Sequence, residues 1–450
     1  MKRIVIIGAG PTGLSSALRL KESSHKNFIV YDRSNYVGGL CASFQDNKGF
    51  IWDLGGHVIF SQYKYFNGLF ENVLENKFLE HRREAWIRTM NRWIPYPFQN
   101  NIRHLPNDIV TECLDGYKLS KKKYKELSNF EQWIVHSFGE GIAKYFMHPY
   151  NFKVWAHPLS LLGTNWISER VSKIELEDLI KNLKSKKDNT KWGPNTVFRY
   201  PLHGGIGEIF RKMSSKIDGS IVLNSELIEI DTKRKKLYFL DGREDTYDIL
   251  INTSPLDKFV KLMKCSKTFD KTVSKLMHNG VFVVGLGINK PCPSNKCWMY
   301  FPENDSPFFR VTYLSNYSPN NVPDSKRNYS LLCESAYSMH KKEDKSKIIE
   351  KTIRALIRQG LLNEGDRSSI VSTFLHDVDY AYPLPTVERD AALNAVLPEL
   401  EHMGIYSRGR FGAWKYEVGN TDHSVMQGKE IVDRVLKGKK ERILNTSGNN

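Results

Sequence analysis

Cysteine is scarce in this chain: six in 450 residues, at Cys41, Cys113, Cys265, Cys292, Cys297 and Cys333, with no C-x-x-C pair and no nearby histidine ligands. That spacing argues against a zinc site and against a disulfide framework, and it predicts reduced thiols and no bound metal. Long apolar runs are missing as well. The most hydrophobic stretch, Gly280 to Ile288, is far too short and glycine-rich to span a bilayer, and Met1-Lys2-Arg3 leads into a short strand rather than a signal-peptide core. The expectation is a soluble, cytoplasmic chain with no membrane partner. Acidic residues are outnumbered, 50 against 66 Lys and Arg, for a net charge of +16. The lysines fall in separate short runs at 121–123, 184–187, 233–236, 341–342 and 437–440, which read as solvated helix ends and loops. No helix-turn-helix, zinc-finger or RNA-binding signature accompanies them, so no nucleic-acid partner is expected; a diffuse positive field instead favours capture of an anionic small molecule.

What is present begins at once. Ile4-Val5-Ile6-Ile7 runs into Gly8-Ala9-Gly10-Pro11-Thr12-Gly13, a helical stretch follows over Leu14 to Lys21, and Phe28-Ile29-Val30-Tyr31 ends at Asp32. Strand, glycine turn, helix, strand and terminal acid make up a dinucleotide-binding unit. Gly8 allows the tight turn, Gly10 admits a pyrophosphate, Gly13 lets the helix pack on the strand, and the helix N-terminus faces the phosphates. Asp32 is placed for a ribose hydroxyl pair. Arg33 and the second glycine pair, Gly38-Gly39-Leu40, favour FAD over NAD as the cofactor.

Length predicts two or three domains. From about Leu105 to Leu183 apolar residues recur at three and four spacings, as in Phe130 to Val135 and Ile174 to Ile180, which predicts helices. Asp188-Asn189 and Gly193-Pro194 mark a boundary. Residues 221–254 alternate like strands, with a turn at Asp241-Gly242. Val281-Phe282-Val283-Val284 and Tyr329-Ser330-Leu331-Leu332 read as a further sheet, followed by a helix from Lys345 to Gln359. A last helix is expected over His423 to Leu436, with Thr421 or Asp422 as its N-cap, and its start is placed to stabilise negative charge on a reduced flavin. The expected fold class is α/β: a discontinuous Rossmann-like FAD-binding domain (1–80, 196–275 and 373–450), an inserted helical domain (102–195), and a small antiparallel sheet domain on the substrate side (81–101 and 276–372).

Six further strings exceed what a generic flavoprotein needs. They are Gly55-Gly56-His57-Val58-Ile59-Phe60-Ser61, Trp93-Ile94-Pro95-Tyr96-Pro97-Phe98-Gln99-Asn100-Asn101, Pro149-Tyr150-Asn151-Phe152-Lys153-Val154-Trp155-Ala156, Gly193-Pro194-Asn195, Ser407-Arg408-Gly409-Arg410-Phe411-Gly412 and Tyr416-Glu417-Val418-Gly419-Asn420. Taken singly, each has an ordinary reading: a packed aromatic loop, a core tryptophan, a structural histidine, surface arginines in ion pairs. Together, and in this order, they resemble the UDP-galactopyranose mutases, in particular the eukaryotic type. The resemblance departs at Arg199 to Glu208, where His203 and Ile206 stand in positions the family fills with arginine and threonine.

The resemblance implies an isomerase that interconverts UDP-galactopyranose and UDP-galactofuranose without net redox change, N5 of the reduced flavin attacking the anomeric carbon and displacing UDP. It implies NADPH as reductant, in contact near Arg88, Tyr96 and Tyr300. It places His57 beside the flavin, with Gly55 and Gly56 as hinge, and gives Arg310 and Arg410 the UDP diphosphate. Tyr96, Phe98 and Gln99 match the uridine pocket and Asn151 and Trp155 the same nucleotide side; Arg170, Asn195, Tyr300, Tyr382, Tyr416 and Asn420 match residues around sugar and diphosphate, and Arg88 counts among the substrate contacts. Flavin contacts are implied at Pro11, Thr12, Gly56, His57, Leu227, Arg410, Gly419, Asn420, Asp422 and Ser424. A second class shares the opening fold, an FAD-dependent oxidoreductase of the amine oxidase or desaturase type, which calls for an apolar substrate tunnel. A third is a non-catalytic FAD or nucleic-acid binding protein. Oligomeric state is not legible.

Overall fold

The computed structural model describes residues 1–445 except 121–123, 125, 168–169, 186, 191–195 and 265. Asn195, Cys265, the lysine run at 121–123, the Gly193-Pro194 boundary and residues 446–450 lie outside the described residues.

The opening strand Ile4–Ile7 is buried on both faces, which suits the middle of a parallel sheet. It pairs with Phe28–Tyr31 on one side and Ile249–Asn252 on the other, and Ile405–Ser407 and Ile221–Val222 form the edges. A three-stranded antiparallel sheet, Leu227–Asp231, Lys236–Phe239 and Glu244–Thr246, lies between two of these strands in sequence. Helix Pro11–Glu22 starts with Pro11 in its first turn, where a missing N–H costs nothing. It packs on helix Thr421–Lys437 closely enough for hydroxyls to reach across: Thr12 Oγ1 donates to Ser424 O (2.9 Å), Ser15 Oγ to Val425 O (2.7 Å) and Ser16 Oγ to Gly428 O (3.2 Å). The two ends of the chain thus share one core.

Among the described residues a seven-stranded sheet runs in the order Ile370–Pro383, His278–Ile288, Tyr329–Tyr337, Arg310–Tyr313, Trp298–Tyr300, Ala85–Thr89 and Arg92–Pro95. It is antiparallel except where Trp298–Tyr300 meets Ala85–Thr89 in parallel. The expected boundary between 372 and 373 falls inside a strand that pairs with His278–Ile288 along its length, so residues 373–383 go with this sheet. Helices Asn107–Ser120, Phe130–Ile142, His148–Trp155 and Leu176–Lys184 occupy the helical region. The last helix begins at Thr421 with Asn420, not Thr421 or Asp422, at its cap position; the Asn420 side chain does not cap because its Oδ1 accepts from Arg170 Nη1 at 2.7 Å.

Candidate active site

A cavity of about 1150 Å³ runs from the C-terminal edge of the parallel sheet to the helical region and the large sheet. At its first end Gly8, Gly10, Pro11, Thr12, Asp32, Arg33, Gly39 and Leu40 form the lining. The glycines are needed there: Gly8 has φ +104°, and a Cβ on Gly13 would lie 1.8 Å from the Gly8 carbonyl oxygen. Gly13 and Gly38 do not line the cavity; they shape the turns beneath it. Asp32 is aimed by backbone, its two oxygens accepting from Ala9 N (2.6 Å) and Ser34 N (2.7 Å). Leu227, Gly419, Asn420, Asp422 and Ser424 continue the lining toward the start of the last helix. Cleared backbone, an oriented acid and a helix start fit an FAD.

In the middle lies the Gly55-Gly56-His57 turn. A Cβ on Gly56 would meet Thr312 Oγ1 at 2.9 Å and Trp298 Nε1 at 3.1 Å, so the loop rests directly on the large sheet. Behind it Glu334, 3% exposed, accepts from Gly56 N (3.3 Å) and grips Arg310 through both oxygens, Nε to Oε2 at 2.5 Å and Nη2 to Oε1 at 2.6 Å. Burial works to lower the Arg310 pKa; the Glu334 carboxylate more than offsets it and holds the guanidinium above its ordinary range. His57 is pushed down to about 4, first by burial and then by Arg310 and Arg410 against the opposing pull of Glu334, so its imidazole is neutral at pH 7.

Arg410 also lines the cavity, under different terms. Its Nε donates to Ala381 O (3.1 Å) and its Nη1 to Gly419 O (3.0 Å), and its guanidinium lies 5.0 Å over the Tyr382 ring and 5.8 Å from the Tyr416 ring centre. Among the described residues no carboxylate pairs with it; Tyr382, Tyr416, Arg170 and Cys41 are among its titratable neighbours. Burial is the largest influence on it and lowers its pKa, which leaves a desolvated cation without a counter-charge. Arg170 also lines the cavity but spends its donors on Asn420 Oδ1 and on the carbonyls of Tyr416 (3.4 Å) and Glu417 (2.5 Å).

The far end is aromatic. Tyr96 and Tyr300 rings sit 5.1 Å apart, Tyr150 meets Tyr300 at 5.4 Å, and Trp155 packs edge-on against Tyr416 (4.8 Å) and Tyr382 (6.0 Å). Burial raises Tyr96, Tyr150 and Tyr382, the last to about 12, so these three hydroxyls stay protonated donors. Gln99 is anchored through Nε2 to Ser172 O (2.5 Å), and Asn151 through Nδ2 to Met147 O (2.8 Å).

Two expected contacts are corrected here. Phe98 is fully buried and stacks on Phe146 at 4.8 Å; the short 3₁₀ turn Phe98–Asn100 sends its ring into the core, and Phe146 lines the cavity in its place. Arg88 does not line the cavity either, because its guanidinium covers Trp93 at 5.4 Å. Arg83, which no sequence string flagged, does line it, with Nη2 on Tyr300 OH (3.0 Å) and its guanidinium over Tyr96 (5.0 Å) and Trp298 (4.9 Å). His203 is exposed and Ile206 buried outside the cavity, so neither departure touches it. Glu334 was also missed, although a lone acid inside the buried strand Tyr329–Tyr337 is itself a signal, since such a charge requires a partner.

A family model described as flavin containing amine oxidoreductase matches residues 11–436, and the chain belongs to that family. The fold alone is shared with a CLA-producing fatty acid isomerase from P. acnes, 14% identical at a TM-score of 0.66 over 97% of this chain and 99% of that one. Among curated proteins, 15-cis-phytoene desaturase of Glycine max is 34% identical over 87 residues, which is 19% of this chain and only 15% of the desaturase's length. A crystal structure of reduced UDP-galactopyranose mutase is similar throughout, with 41% identity and a TM-score of 0.96 over 99% of this chain and 96% of that one. Within the flavin family, the chain belongs to the UDP-galactopyranose mutases.

Proposed function

We propose that this protein is an FAD-dependent UDP-galactopyranose mutase, an isomerase exchanging the pyranose and furanose forms of a UDP-linked galactose. The observation that carries the reading is Arg410: a buried guanidinium with no carboxylate partner among the described residues, in the same cavity as the dinucleotide cradle. A desolvated, unneutralised cation favours an anion, and the diphosphate of a sugar nucleotide supplies one. An apolar tunnel, as the desaturase-type reading requires, would not be lined by Arg83, Arg170, Arg310 and Arg410.

Gly8, Gly10, Gly39, Asp32 and the start of helix Thr421–Lys437 are the groups that hold the flavin. When bound and reduced, it supplies the nucleophile for exchange at the anomeric carbon. The protein does the rest. Arg410 stabilises the charge that develops on the departing UDP, with Arg310 contributing the donors that Glu334 leaves unused. Tyr96, Tyr150 and Tyr300 enclose the base and exclude water, with Gln99 and Asn151 at its edge. Neutral His57 neighbours the flavin through the Gly55-Gly56 turn without adding a third cation. We further propose NADPH as the reductant, with Arg83 rather than Arg88 as the cation at the Tyr96 and Tyr300 end.

The test is direct. Dithionite-reduced holoenzyme is incubated with UDP-galactofuranose and the products are separated by chromatography. Appearance of UDP-galactopyranose is expected, and its absence with fully reduced flavin overturns the proposal. Anaerobic mixing with NADPH should bleach the oxidised flavin band, and an Arg83→Ala variant should slow that bleaching.

A further inference from the structure

Gly438, with φ +67°, ends the last helix, and residues 439–445 turn back across it. Glu441 is 5% exposed and accepts from Arg408 Nε (2.5 Å) and Nη2 (2.7 Å) and from Arg434 Nη1 (2.8 Å). Arg408 is itself fully buried and also donates to Glu401 (2.6 Å) and to the Ser407 carbonyl (2.8 Å). Two residues on, Ile443 packs with Val418 and Met426. Glu430 Oε2 fixes the segment by accepting from the N–H groups of Arg442 and Ile443, both at 2.9 Å. The Leu444 carbonyl then accepts from Lys415 Nζ at 3.0 Å.

Three of the anchors, Arg408, Lys415 and Val418, belong to the segment 408–420 that forms one wall of the cavity. Arg408 lies two residues before Arg410, Lys415 immediately precedes Tyr416, and Val418 immediately precedes Gly419 and Asn420. Among the described residues the hydrogen bonds of the Arg410 guanidinium go to carbonyls, those of Ala381 and Gly419. One of those two carbonyls belongs to the segment that Ile443 and Leu444 cover from behind.

We propose that residues 439–445 are a brace for the cavity wall 408–420, with Glu441 and Ile443 as positioning residues that keep Arg410 aimed at the leaving diphosphate. The inference rests on the function proposed above. An arginine held by a carboxylate keeps its angle when its surroundings loosen; one held by a loop carbonyl moves with the loop. Misplacement by about 1 Å at a reacting centre costs on the order of 100-fold in rate, so a distant brace registers in catalysis.

The test uses full-length holoenzyme carrying Ile443→Ala or Glu441→Gln, with Lys439→Ala on the exposed side of the same segment as control. UDP affinity of the reduced enzyme, kcat, KM, FAD content and melting temperature are measured together. Ile443→Ala and Glu441→Gln are expected to raise the UDP dissociation constant and KM by about tenfold with FAD content retained, and Lys439→Ala to change nothing. Lower melting temperature with unaltered UDP affinity and kinetics overturns the proposal and leaves the segment merely structural, as does an equal effect of Lys439→Ala. If Glu441→Gln does not fold, Lys415→Met, which removes the contact with Leu444, takes its place. If the wild type converts no UDP-sugar, the functional reading fails on its own. The brace is then read from the flavin midpoint potential, which should shift in Ile443→Ala because Gly419 and Asn420 border the cofactor end; an unshifted potential overturns it.

Discussion

Arg310 and Arg410, both buried and both lining the cavity, are held in opposite ways. Arg310 springs from a strand of the large sheet and is locked to a buried carboxylate. Arg410 comes from a loop, touches only carbonyls and ring faces, and carries its charge uncompensated among the described residues. The Arg310–Glu334 pair is a nearly neutral, well-oriented unit with little free charge to offer. Arg410 is the reverse, costly in the empty protein and strongly favourable once an anion arrives. One arginine supplies position and the other supplies field.

Arg410→Ala should break the comparison most sharply. Turnover is expected to fall by about 10²–10³ while FAD content and melting temperature stay near wild type; a steady-state assay beside a flavin absorbance spectrum checks this. Glu334→Gln should do the converse and cost stability first, about 3–5 kcal/mol, because it strands a buried cation. Denaturant unfolding measures that loss, and the double change Arg310→Met with Glu334→Leu should recover most of it while remaining inactive.

The pH dependence sharpens the middle of the site. His57 titrates near 6.5 when unfolded and near 4 when folded, so between those values the unfolded chain binds a proton that the native state refuses. Stability from this group is complete above pH 6.5 and drains as the pH falls through the window, by about 2 kcal/mol between pH 7 and pH 5. Asp53, pushed up to about 6 chiefly by burial, acts in the opposite sense. The His57 share is therefore the difference between wild type and His57→Gln in urea titrations at the two pH values. The smallest effect is expected from Phe98→Leu, about 1–2 kcal/mol of stability with UDP affinity unchanged, whereas Tyr96→Ala should weaken UDP measurably in an equilibrium titration.

The dinucleotide unit was legible because its geometry leaves few residue choices: Gly8 and Gly13 meet almost atom to atom, and Ile4–Ile7 is buried on both faces. The cavity-facing role of Trp155 and Tyr416 was legible only through whole strings, and that of Tyr382 only through the resemblance those strings carry. Phe98 was misplaced because one turn of 3₁₀ helix decides whether it or a neighbour faces inward, and residue type does not encode that rotation. Arg83 escaped notice since its role depends on Tyr96 and Trp298, rings brought beside it by the parallel pairing of Ala85–Thr89 with Trp298–Tyr300. Glu334 could have been found by asking what a single acid does in a strand with no other charged residue.

The three hydroxyl contacts that fasten helix Pro11–Glu22 to helix Thr421–Lys437 span up to 412 positions of sequence. On the ribosome, the first helix is made long before its partner exists, so the nascent chain carries half of a phosphate-binding cradle through nearly all of translation. Loading of the cofactor therefore belongs to the end of synthesis, and a truncated product lacking the final helix should emerge colourless.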